Sequence, residues 1–419
     1  MADYVSLKKF YHKDKTNNRD IAVQLEAKKR LEAESTFRTG IKIEHGELFL
    51  AVPTQLFSLS EKLLRVERKV SQLWRELPGI ARWAYLRGLI MNEVISTNAI
   101  EGIHSTRKQI QEALESVEAK QPNNDEKRFK EFANLYLELT NNSHVSTKTP
   151  NDIRVIYDAV VMGELKEEDG PDGEPFRKES VDVVSGQQQV MHKGVMPESK
   201  IIEMLEQMIQ LVNSDTIPQT FSAIISHFLF EYIHPFYDGN GRTGRFLLAL
   251  YLSEPLSLAT TLSLSRVICE NKNRYYKMFT DAEDPLNYGE MTFFVIQLLE
   301  FIREAQESVM ENLERKAALL SKIEDLLEIF EEEPYCLSNK QVAVLYQAAQ
   351  QYLLGDFPVI SLENITMHTK VGAQTARKYA AALEERGLLE AVSLKPLRFV
   401  LTPLALKKLE IPELANYSV

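Results

Sequence analysis

Twelve residues, HPFYDGNGRTGR from His234 to Arg245, bring together the groups that a phosphate-handling site requires. Glycines at 239, 241 and 244 let the backbone turn tightly and approach a ligand. The helix that follows offers free N–H groups and the positive end of its dipole, which suits a diphosphate. Arg242 and Arg245 add guanidinium forks for phosphate oxygens, and Asn240 can hold the loop or donate to an oxygen. Asp238 is a hard oxygen ligand suited to Mg²⁺. His234, fixed by Pro235 and anchored by Phe236, has an ordinary pKa of about 6.5 and suits a general base toward an incoming hydroxyl. Singly, Gly-rich turns are mostly just turns and helix-start arginines are mostly solvated. Together they form what in-line attack on phosphorus needs. There is no GK[ST] loop and no strand-GxGxxG-helix unit, so the two common nucleotide folds do not account for the stretch.

The stretch resembles the signature H-P-F-x-(D/E)-G-N-G-R-x-x-R of Fic-domain protein adenylyltransferases at every specified position, within a similarity spanning roughly residues 90 to 300. The resemblance implies His234 as catalytic base and Asp238 as Mg²⁺ ligand. It makes Gly239, Asn240, Gly241, Arg242, Thr243, Gly244 and Arg245 the cradle for the phosphates of ATP. AMP would pass to a Ser, Thr or Tyr hydroxyl of a protein, the chain itself included, with release of pyrophosphate. The family carries a β-hairpin flap that aligns its target by strand addition, and Val181 to Gly194 lies where that flap belongs. Ser185 and Gly186 at its turn are counted among the nucleotide-binding residues, as are Tyr275 and Tyr276, similar to a tyrosine pair that touches adenosine. An Asn often found a few residues beyond that pair is replaced here by Glu283-Asp284.

Upstream, Thr97-Asn98-Ala99-Ile100-Glu101-Gly102 fits the pattern (S/T)-x-x-x-E-(G/N), which resembles the inhibitory helix of Fic proteins that carry their inhibitor before the signature. Alone, a glutamate before a glycine is ordinary helix-end punctuation. Beside the signature, a carboxylate paired with Arg245 would occupy the guanidinium that should grip the γ-phosphate. The resemblance thus implies Thr97 and Glu101 as the inhibitory residues. Three other readings stay open: a winged-helix regulator whose Fic core senses nucleotide, transfer of another phosphate-containing group, and removal of AMP.

The elements that position these groups read as mainly α. Residues 1 to about 38 form an arm or partly helical lead-in, and apolar residues recur at helical spacing from Leu56 to Glu118, one helix ending near Glu101-Gly102. Val181 to Gly194 is the main strand signal before the C-terminal region. Helical patterning covers Ser199–Val212 and Thr220–Ile233, stops at Pro235, and resumes at Thr243, which places the signature on a loop between two helices. From Ser361, a short helix, a turn at Val371-Gly372, a second helix and two strands around Lys395-Pro396 give the pattern of a winged helix-turn-helix. The expected division is an N-terminal helical region at 1–90, a Fic core at 91–300 with its inhibitory helix at about 85–102, a helical linker at 301–332 and a winged-helix domain at 333–419.

The chain has 419 residues and a net charge of -11, which disfavours a nucleic-acid coat protein or a polybasic membrane binder. Lys370, Arg377, Lys378, Arg386, Lys395 and Arg398 could face phosphate, but Glu384, Glu385 and Glu390 share that region. Protein interaction or dimerisation is therefore favoured over DNA binding. Cys269 and Cys336 lack metal-ligand spacing, and no apolar h-region or membrane span is apparent, so a reducing cytoplasm is expected.

Overall fold

The structure is a computed structural model, and it describes residues 4–118, 128–141, 146–164, 170–184, 190–355 and 357–412. The chain is mainly helical and divides into two units, Met1–Arg68 with Ile90–Glu307, and Lys69–Leu89 with Ser308–Val419.

The first unit opens with α1 (Leu7–Lys13) and α2 (Arg19–Leu31), then a hairpin of β1 (Thr36–Ile43) and β2 (Gly46–Ala51). The sequence reading put no strands here. The alternation that would have marked β1 is interrupted by Gly40, at φ 73°, and by a register shift between Arg38 and Lys42, so the period of two never runs long enough to read. Phe49 at the centre of β2 donates to Gly289 O at 3.1 Å and accepts from Met291 N–H at 2.8 Å, which docks the hairpin on the chain.

Next come α3 (Thr54–Glu76), α4 (Gly79–Ile100), α5 (Arg107–Glu118), α6 (Lys130–Thr140) and α7 (Pro150–Val161). A second hairpin follows, β3 (Asp182–Val184) with β4 (Val190–Lys193), where the sequence placed one. Its turn residues Ser185 and Gly186 lie outside the described residues. Then follow α8 (Glu198–Val212), α9 (Gln219–Ile233), α10 (Asn240–Leu252), α11 (Leu258–Thr261), α12 (Leu264–Glu270), α13 (Lys272–Glu283) and α14 (Thr292–Leu326).

α9 is the axis of this unit. Every residue from Phe221 to Phe230 is buried, Ser222, Ser226 and His227 included, so the helix is enclosed on all sides, and α8 and α10 pack on it. α10 begins at Asn240, three residues before the expected restart. Gly239 adopts the left-handed conformation at φ 78° and caps the helix, accepting from Thr243 N–H at 3.1 Å and Thr243 Oγ1 at 2.9 Å. Half of the signature is therefore helical.

The second unit contains α15 (Asn339–Leu354), β5 (Val359–Ser361), α16 (Leu362–Thr369), α17 (Ala373–Glu385), β6 (Leu389–Leu394), β7 (Leu397–Leu401) and α18 (Pro403–Lys408). The strands form one antiparallel sheet in the order β5-β7-β6. Leu345, Ile365, Ala376, Ala380, Leu383 and Phe399 lie in its core. The two helices, the turn and the terminal strand pair follow the element order expected of a winged helix; β5 was not expected. Among the described residues no helix is long and apolar enough to cross a membrane.

Candidate active site

His234 ends α9 in the left-handed conformation, φ 50° and ψ 63°. The turn this creates is held by Asn240, whose Oδ1 accepts from Phe236 N–H at 3.0 Å while its Nδ2 donates to Phe236 O at 2.8 Å. The Phe236 ring stacks on Tyr157 with centroids 3.6 Å apart. Asn240 thus closes the loop from within. Its side-chain amide is committed to that task and is buried.

Arg177 was missed by sequence reasoning. Its buried guanidinium donates to His234 O at 2.8 Å, Glu179 O at 2.8 Å, Val195 O at 2.9 Å and Ile233 O at 3.3 Å. α9 has no basic residue in its last turn, so the cation that its dipole calls for comes from 57 residues upstream in the chain. That vacancy was the available signal. Arg177→Met would orphan several buried carbonyls, and we expect a stability loss of roughly 3 kcal/mol. A thermal melt indistinguishable from wild type would contradict this role.

His234 Nδ1 faces Glu231 O at 3.3 Å. A carbonyl only accepts, so Nδ1 carries the proton and Nε2 presents its lone pair. Burial pushes the imidazole down to about 4, helped by the nearby His192 and Arg177, against the bond to Glu231, which raises it. The ring is neutral at pH 7. Asp238 is exposed, and its Oδ1 accepts from Gly239 N–H at 2.6 Å.

The backbone of Gly239 and Gly241 runs too close to its neighbours for a side chain. A Cβ at 239 would stand 2.6 Å from Val161 Cγ1, and one at 241 would collide with Glu101 Oε1. Gly239→Ala adds left-handed strain to that clash, and we expect it to destabilise by about 1–3 kcal/mol in a thermal melt. Arg242 is buried and paired with Glu164 at 2.7 Å, a partner that its sequence position did not suggest.

Arg245 is buried in α10, and its guanidinium bonds to α4 and to the residue just past the end of that helix. Nε donates to Thr97 Oγ1 at 2.8 Å, and Nη2 reaches Thr97 O at 3.1 Å and Glu101 Oε1 at 2.7 Å. The carboxylate lies where it does because α4 stops there. Gly102, at φ 75°, lets Ile103 N–H reach back to Asn98 O at 2.9 Å and Gly102 N–H to Ala99 O at 3.2 Å. This is the Schellman closure, with Glu101 at the cap. The capping reading and the Arg245-pairing reading are one piece of geometry. α13 clasps the same helix end: Lys272 Nζ donates to Ala99 O, and Tyr276 Oη lies 3.4 Å from Ile100 O.

The tyrosine pair divides. Tyr275 is buried and donates to His227 Nε2 at 2.7 Å, while His227 Nδ1 donates to Gly244 O at 3.1 Å. Burial, then Arg245, push this imidazole down to about 3, so it is neutral and acts as a brace between α9, α10 and α13. Tyr276 is exposed. Glu231 was likewise missed; burial pushes its carboxyl up to about 8, so it is protonated at neutral pH beside Gly244, where a Cβ would collide with it.

The structure therefore gathers His234, Asp238, Gly239 to Arg245, Thr97 and Glu101 at one helix junction. Residues 148–252 match the family model described as Fic/DOC family. A probable protein adenylyltransferase of Aquifex aeolicus (strain VF5) is 42% identical over 74 residues, 18% of this chain and 21% of that protein. The match thus takes in about a fifth of the relative's length. Among solved structures, a Fic family protein from Desulfovibrio desulfuricans is 17% identical, with a TM-score of 0.48 over 84% of this chain and 97% of that one. Fic-1 from C. elegans is 17% identical, with a TM-score of 0.45 over 74% and 81%. The complete signature, His234 to Arg245, thus lies inside the stretch, residues 148–252, that matches the Fic/DOC family.

Proposed function

We propose that the site transfers AMP from ATP to a Ser, Thr or Tyr hydroxyl of a protein, and that Glu101 restrains it. The observation that carries this reading is a neutral His234, its Nε2 free to accept, at the mouth of a helix N-terminus that also holds a buried, carboxylate-paired Arg245. The similarity to the Aquifex protein, a probable protein adenylyltransferase, supports it. In the reaction, the hydroxyl oxygen attacks the α-phosphorus and its proton passes to His234. The bond from the α-phosphorus to the bridging oxygen breaks, and pyrophosphate leaves. The N–H groups opening α10 bind phosphate oxygens. Arg245, once free of Glu101, is placed to take the terminal phosphate.

Among the described residues no group of three or more His, Cys, Asp or Glu could hold a metal alone. The exposed Asp238 fits a Mg²⁺ ion that takes its other ligands from phosphate and water, the usual coordination of that ion. The ion would neutralise charge developing on the leaving pyrophosphate. Intact-mass measurement of the Glu101→Gly chain after incubation with ATP, GTP, UTP or CDP-choline tests the donor. An adenylyl mass added from ATP is expected, and a different added group would overturn the reading.

The pH profile gives a second test. A base with its pKa pushed down to about 4 stays competent as pH falls, until the pH passes through that value. For the Glu101→Gly chain, kcat/KM should therefore show no limb from His234 between pH 7 and about pH 5. An acid limb centred near 6.5 that vanishes in no other histidine variant would contradict the neutral base.

A further inference from the structure

The second strand of the flap hairpin leaves its sheet directly into the last turn of α9. Asp182 pairs with Lys193 and Val183 with His192. Gly194 N–H then donates to Val181 O at 3.0 Å, and Val195 N–H donates to Ile233 O at 3.1 Å. Ile233 is the final residue of α9, and His234 follows it. The His192 side chain adds a stitch one carbonyl earlier. Its Nε2 lies 2.8 Å from Tyr232 O, its Nδ1 lies 3.0 Å from Glu283 Oε2 at the end of α13, and its ring stacks on that of Tyr232 with centroids 5.2 Å apart. A carbonyl and a carboxylate both accept, so an imidazole bonded to both donates from both nitrogens and is an imidazolium.

We infer that His192, held between Tyr232 O and Glu283, is a positioning residue that sets the register of the hairpin against His234, and so decides which residue of a strand-added protein segment meets the base. This rests on the transfer reading above. Tyr232 stands two residues before the base, a rise of about 3 Å along a helix, so a clip at Tyr232 holds β4 close to one height relative to His234. Register matters because strands advance about 3.3 Å per residue, and a slip of one residue turns every side chain to the opposite face. A slipped hairpin would present the wrong side chain to His234.

The charged groups around His192 come from three elements. Glu283 on α13 favours its cation, Glu231 on α9 adds to this only where it is ionised, above about pH 8, and His234 at the end of α9 lies close enough for that cation to depress its own titration. On the hairpin itself, Asp182 faces Lys193 across the ladder. Burial, the largest influence, opposes the charge, but Glu283 and Tyr232 O outweigh it and the pKa is raised. Because the folded pKa lies above the ordinary value of about 6.5, the clip is complete below about pH 6.5 and is lost as pH rises through the higher, folded pKa.

Hydrogen exchange of the full chain tests this, read on the amides of Asp182–Val184 and Val190–Lys193 at about pH 6 and about pH 8.5 and corrected for intrinsic rates. Wild type should be protected more at the lower pH. His192→Ala should lose about tenfold protection at the lower pH, and its protection should no longer change with pH. Glu283→Gln should be protected equally at both, since its amide can donate to a neutral Nδ1 while Nε2–H keeps Tyr232 O. In the Glu101→Gly background, His192→Ala should slow incorporation of labelled ATP about tenfold with the ATP half-saturation unchanged, whereas Glu283→Gln should keep its rate at the lower pH. Unaltered exchange in His192→Ala, or a rate lost equally in both variants, would overturn the inference. If the Glu101→Gly chain incorporates nothing, the transfer reading fails, and the exchange data still decide whether the clip exists.

Discussion

Replacing Glu101 by glycine should raise incorporation of labelled ATP into the chain about ten- to a hundredfold. Arg245 is buried, and among the described residues it bonds to the Glu101 carboxylate at 2.7 Å and to the hydroxyl and carbonyl of Thr97. A charge-assisted bond of this kind contributes roughly 1.5–3 kcal/mol, which corresponds to one to two decades in the affinity of the guanidinium for a competing anion. The variant leaves the cation in place and removes its carboxylate partner, so on the proposed reading the terminal phosphate of ATP takes that place. Glu101→Gln should fall between the two, because it keeps an acceptor and loses the charge. The structural cost at the helix end should be small, since Glu101 is a third exposed and the Schellman closure is made by backbone groups that remain. ATP should raise the melting temperature of the variant more than that of wild type, because a ligand stabilises in proportion to its affinity for the folded state. Equal labelling of wild type and variant would remove Glu101 from any restraining role.

In that released background, changing His234 should cost at least two to four decades in rate, the usual contribution of a positioned base. The choice of substitution matters because His234 is left-handed, at φ 50°. Alanine is strained there, and His234→Ala would combine lost chemistry with a disturbed turn. Asparagine tolerates that conformation and offers no base at neutral pH, so His234→Asn isolates the chemical role. Both variants should be inactive, and the asparagine variant should melt closer to the parent and retain its affinity for ATP. An asparagine variant with more than a tenth of the parent rate would exclude His234 as the base.

The signature was readable because its constraints are local. A left-handed glycine, a helix start, a carboxylate and a base lie within one turn and the helix beside it, so their spacing along the chain is their spacing in space. The same holds for α9 and for the end of α4, where apolar runs and a Glu-Gly cap mark the helix and its stop. The paired strands at 36–51 escaped because a bulge broke their alternation, and the true start of α10 escaped because a glycine cap leaves no side-chain signal.

By itself, then, the sequence determined the local chemistry: a histidine beside a phosphate-sized helix N-terminus, and a glutamate at the end of another helix. Beyond the pairing of Glu101 with Arg245, only the tertiary structure decided which polar groups meet. Arg177 reaches the end of α9 from 57 residues away, Glu164 takes Arg242 from 78 away, and Thr97 meets Arg245 across 148 residues. His192 and Glu283 join the flap to α13 in the same way. Pairings of this kind follow from how helices cross in a packed core, where burial compels each charge to find a partner, and no periodicity in the chain records which partner it finds.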